Sequence, residues 1–130
     1  MKFSKVVFLV AGIWGVLIVT PLFFLFDYIG SIYPPALTHP DIYYGFVTVT
    51  LAWQFAFLII ARDPARYRPL LPAILVEKFA YVAALVVLYS QGRIQFGQTF
   101  GGIPDFFLGL LFIAAYVKTR EDAVAPNGRT

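Results

Sequence analysis

From Val6 to Phe26 the chain carries no charged side chain. Coiled at about 1.5 Å per residue, such a run crosses a hydrocarbon core of roughly 30 Å. In lipid, a lone apolar segment has to satisfy its backbone polar groups internally, which selects the helix. Ile42–Ala61 is a second uncharged run. Leu70–Tyr89 is a third, interrupted only by Glu77 and Lys78, and a fourth extends from about Ile103 to Val117. The expectation is an all-α integral membrane protein: one domain over 1–130, a four-helix bundle with helices near 6–26, 42–61, 70–89 and 103–117, and a polar tail over 118–130.

Composition agrees. The 130 residues are 60% hydrophobic and 13% charged, with mean hydropathy +0.78. A soluble domain is nearer half apolar and roughly a quarter charged. The net charge of +3 does not point to nucleic acid, because the basic residues are scattered over short loops. The first run follows Lys2 and Lys5, yet it is too long for a signal-peptide core and no A-x-A-like site follows it, so it reads as a retained span.

Charge placement predicts the orientation. Lys2 and Lys5, then Arg62, Arg66 and Arg68, then Lys118, Arg120 and Arg129 all fall on one side of the four spans. Only Arg93 falls on the other. The positive-inside rule then puts both termini in the cytoplasm, as for a multi-pass protein of a bacterial inner (plasma) membrane. Tyrosines cluster at the predicted interfaces, with Tyr81 alone in mid-span. Thr38–Asp41 offers caps for the second helix. Pro104–Asp105 reads as the first turn of the fourth helix, where a carboxylate suits the macrodipole.

Ionised groups inside a span are expensive and mark function or a packing lock. Adjacent helical residues point in different directions. The stripe through Glu77 holds Ala73, Ala80 and Ala84, whereas the stripe through Lys78 holds Leu71, Leu75, Val82 and Leu85. Small residues favour helix contact and large aliphatics suit lipid. Glu77 is therefore expected inside the bundle, and Lys78 on the lipid face with its ammonium drawn to the headgroups. Gln54 in the second span and Trp14 in the first lie at about the same depth as Glu77, which predicts a buried polar layer of the three. Asp27, closing TPLFFLFD at the mouth of the bundle, is the fourth candidate ligand-binding residue.

Other chemistry finds little support. The chain has no cysteine and one histidine, which excludes disulfides, thiolate metal sites and H-E-x-x-H zinc motifs. Asp27, His39, Asp41 and Asp105 all fall on the outer side, but read more simply as caps and loop residues than as metal ligands. GRIQFGQTFGGIPD lacks the Gly-Lys-Ser/Thr ending of a phosphate loop. RDPARYRP is a topology determinant that also suits anionic headgroups. No cofactor is implied.

The four-span layout and the stretch RDPARYRPLLPAILVEKFAYV resemble the small DoxX-like bacterial membrane proteins. A second resemblance is to the emopamil-binding and sigma-2 receptor family, with four spans and cytoplasmic termini. That resemblance implies a pocket with acidic residues that takes sterols or cationic amphiphiles, and Asp27 is similar to that family's acid near the end of helix one. The chain departs from it in having its only histidine outside the spans and Gln54 in place of an acid, which argues against sterol isomerase chemistry. The expected function is binding of a lipid or small apolar molecule within the bundle, or service as an accessory subunit of a membrane complex. A membrane-embedded acid/base enzyme on an apolar substrate, isomerase-like, and a small transporter are the alternatives. Partners expected are membrane lipids, with a membrane protein or a second copy of the chain beside them.

Overall fold

A computed structural model describes residues 2–124. It is helical, with no strand among the described residues. Helix α1 covers Lys2–Val19, α2 Phe26–Ile32, α3 Pro40–Ile60, α4 Leu71–Ser90 and α5 Gly102–Val124, with single 3₁₀ stretches over Thr20–Phe24, Arg68–Leu70 and Phe96–Gly101. With their 3₁₀ extensions, α1, α3, α4 and α5 are long and apolar enough to cross a membrane.

The first span is broken where Pro21 removes a backbone donor. The helix tightens to 3₁₀ over Thr20–Phe24 and restarts at Phe26 as α2. The Tyr43 hydroxyl donates to the Leu22 carbonyl at 2.6 Å and ties this break to α3. No side-chain cap forms at α3, whose N-cap position is His39, and the Thr38 hydroxyl pairs with His39 Nδ1 at 2.9 Å. At the other end, α5 does not stop at Val117. It continues through Lys118 to Val124, since polar side chains end the membrane-compatible surface without ending a helix. Residues 125–130 of the expected tail lie outside the described residues.

Helix α1 packs on α3 and α5, and α5 packs on α4, so the order across the bundle is α3, α1, α5, α4. The N-terminus of α1, the C-terminal part of α5 and the turn between α3 and α4 share one end. Ser4 Oγ donates to the Ala115 carbonyl at 3.4 Å, and the Arg68 guanidinium lies 4.0 Å from the Tyr116 ring centroid. Asp63 Oδ1 accepts from the Arg66 N–H at 3.3 Å and shapes that turn. The packed core fills this same half. Phe8 stacks on Phe112 with centroids 4.7 Å apart and rings 8° from parallel, and Phe57 meets Phe112 at 5.1 Å. All three rings are fully buried. Toward the outside the bundle presents large apolar side chains, among them Leu17, Phe24, Val76 and Phe107. Apolar surface this extensive is expected where lipid rather than water is the solvent.

Candidate functional site

Above the phenylalanine layer the four helices separate around a cavity of about 120 Å³. Helix α1 contributes Trp14 and Gly15, α3 contributes Thr50 and Gln54, α4 contributes Glu77 and Lys78, and α5 contributes Asp105. Gln54 is 3% exposed. Its Nε2 donates to the Thr50 carbonyl at 2.9 Å. Its Oε1 rests against Gly15, where any added Cβ would collide with it, and accepts no hydrogen bond among the described residues. Glycine at position 15 is thus what lets an amide side chain fit between α1 and α3.

Lys78 is the centre of the site, and here the sequence expectation is overturned. It is 3% exposed and does not reach into lipid. Its Nζ donates to Asp105 Oδ1 at 3.1 Å and lies 3.5 Å from Glu77 Oε2. The same ammonium stands 5.3 Å from the Phe57 ring centroid, a cation–π contact that joins the polar cluster to the aromatic core. The face assignment of α4 is overturned in part: Glu77 lines the cavity as expected, but the alanine stripe does not face inward and Lys78 does. Ala73, Ala80 and Ala84 are exposed, and Leu71, Ile74 and Lys78 are buried. The physical reason lies on the neighbouring helix. Close approach of α4 and α5 comes from glycines on α5: a Cβ at Gly109 would stand 2.6 Å from the Phe79 ring, and one at Gly102 would stand 2.8 Å from Leu85. The bulky side of α4 inserts into those notches, so its alanines are left outward.

Asp105 is the residue that sequence reasoning placed elsewhere. Read as a first-turn carboxylate at the outer end, it does sit in the first turn of α5, but it also faces Lys78. Counted along their helices, Lys78 and Asp105 differ in depth by about one turn. The lysine stem closes that gap. The available signal was Lys78 itself, since a buried ammonium calls for an acid and Asp105 is the only one in the fourth apolar run.

The expected layer is brought together in part. Trp14, Gln54 and Glu77 do line one cavity. Trp14 is nevertheless 48% exposed, so its ring forms the cavity's flank toward lipid and not a buried partner. Asp27 is exposed in the first turn of α2 and does not line the cavity. Among the described residues no three His, Asp or Glu side chains gather as a metal site.

Electrostatically the site is unbalanced. Two carboxylates face one ammonium, which leaves one negative charge in excess when both acids are ionised. Glu77 Oε2 is cut off from the surface, and its contact with Lys78 does not reach hydrogen-bond geometry. The site therefore holds a buried carboxylate oxygen without a hydrogen bond, and an amide oxygen with accepting capacity unused. Comparison with known proteins adds no function: no protein family, no curated protein and no solved structure matches the chain.

Proposed function

We propose that the protein is a membrane-embedded binding protein that takes a small molecule into the four-helix cavity, held by Gln54, Glu77, Lys78 and Asp105. The observation that carries this reading is that charged side chains from two helices and an amide from a third converge on unfilled space. A packing lock would close on itself, as the phenylalanine layer does. Buried polar groups are normally satisfied, and a bound molecule supplies the missing partners. Both termini lie in the cytoplasm of a bacterial inner membrane, because the basic residues concentrate at the end shared by the termini. Lipids cover the apolar outer faces. A membrane complex in which this chain is the ligand-binding subunit is compatible with the same site.

Native mass spectrometry of the detergent-extracted protein tests the proposal. Wild type should retain a non-lipid mass that Asp105→Asn loses. Equal spectra for the two proteins would contradict it. Acid/base turnover of the bound molecule is the second reading, favoured by the unbonded Glu77 Oε2. Retained activity in Glu77→Gln would remove it.

A further inference from the structure

The cavity has two contrasting boundaries. Toward the end shared by the termini lies the layer of Phe8, Phe57 and Phe112, all without exposed surface, with the Phe57 ring 5.3 Å from the Lys78 ammonium that lines the cavity. Toward the opposite end the cavity shares Gly101 with a larger open chamber of about 510 Å³, bordered by Tyr33, Tyr81, Gly97 and Gln98. That chamber is roofed by the 3₁₀ segment Phe96–Gly101, whose start is fixed by the Gln98 side chain accepting from the Gln95 N–H at 2.8 Å. Gly101 borders both spaces, and a Cβ added there would lie 3.3 Å from the Tyr81 hydroxyl. The hydroxyls of Tyr33 and Tyr81, the Gln98 amide and the backbone of Gly97 and Gly101 give this approach its polar groups, beside the apolar Leu85, Ile94 and Phe100. Access to water from this side would let three ionisable groups persist inside a bundle, since polar residues in membranes face water-filled cavities or one another.

We infer that the site is filled from the aqueous phase at the end opposite the termini, through the Tyr33–Tyr81–Gly101 chamber, and that its ligand is a small water-soluble molecule bearing a primary amine. This rests on the binding reading above. Size and charge select the class. A cavity of about 120 Å³ holds about four water molecules' worth of liquid volume, far less than a sterol or an acyl chain needs. With both Glu77 and Asp105 ionised, one added ammonium neutralises the charge that Lys78 leaves unpaired, and the Gln54 amide oxygen is placed to accept one of its protons. The chamber's end of the bundle does not repel a cation, because Asp27 and Asp41 offset Arg93 there.

The absence of cysteine makes the intact chain its own background for a test. Thr50→Cys places one thiol at the cavity wall. The protein, reconstituted in vesicles, is treated with aminoethyl methanethiosulfonate from one side while a thiol scavenger is trapped on the other. Modification should be at least an order of magnitude faster from the side opposite the termini, and methylammonium should slow it. Gly101→Leu on this background should slow it by a similar factor, and Tyr81→Ala should speed it, which keeps the test decisive if the leucine variant folds poorly. Equal rates from the two sides, or reaction only with the membrane-soluble N-ethylmaleimide, would overturn the route and point to access past Trp14 from the bilayer. Side-selective modification without protection by methylammonium would overturn the ligand class. Side selectivity and protection found together with no retained mass in the native spectra would count against tight retention of the ligand, and would leave the route standing.

Discussion

The half of the bundle near the termini and the half beyond Phe57 are built from the same four spans, yet they solve opposite problems. The first is closed. Ala11 and Ala115 are buried in the same cluster as Phe8, Phe57 and Phe112, whose rings stack and meet across three helices. The second is held open. Its helices bring Gln54, Glu77, Lys78 and Asp105 to one cavity, and Lys78 pairs with Glu77 on its own helix and with Asp105 across helices without filling the volume between them. Dispersion between rings holds the first half, and charge pairing around Lys78 holds the second. The difference teaches that intramembrane charge here is not tolerated at the rim of a packed core but is given a compartment of its own. Lys78 is the joint, touching Phe57 on one side and two carboxylates on the other.

The comparison can be broken or sharpened by substitution. The largest effect is expected in the closed half. Phe112→Ala should cost about 3–5 kcal/mol, because stacked neighbours cannot collapse into the void. Reversible unfolding in mixed micelles measures it, and a small loss would mean that the aromatic layer is not the structural half. Next comes Lys78→Met, expected to cost about 3 kcal/mol because it leaves two acids facing each other without a cation. That loss should exceed the loss in Glu77→Leu, measured in the same way. Gly15→Ala should cost about 1–3 kcal/mol through collision with the Gln54 amide. Shortening the partner, as Gly15→Ala with Gln54→Ala, should recover much of it. A loss that persists in the double variant would place the strain elsewhere. Trp14→Leu should lie within about 0.5 kcal/mol of wild type, since the ring faces lipid.

The spans were legible in the sequence because hydropathy along a helix is a one-dimensional property, and so is depth. That is why Trp14, Gln54 and Glu77, chosen by counting residues from the span ends, line one cavity. The rotation of α4 was not legible. It is fixed by Gly102 and Gly109 on a different helix, and the alanine stripe of α4, read alone, favours the wrong face. Asp105 was legible as a helix-start residue and not as a partner of Lys78, because the pairing needs the α4–α5 register that those glycines set. Asp27 closed the first apolar run on paper, at the mouth of the bundle. Pro21 turned it out of that run and onto α2. The end of α5 was misjudged for a related reason, since hydropathy marks where a lipid-facing surface stops and leaves helix length undetermined.

The central claim is that Lys78 points into the bundle and is paired with Asp105, so the most direct measurement is a double-mutant cycle on that pair. Unfolding free energies of wild type, Lys78→Met, Asp105→Leu and the double variant give their coupling. The buried pair predicts a coupling of about 1.5 kcal/mol or more, with the double variant more stable than the sum of the single losses implies. A coupling near zero, with Lys78→Met as stable as wild type, would return Lys78 to the lipid face and leave the cavity without its cation.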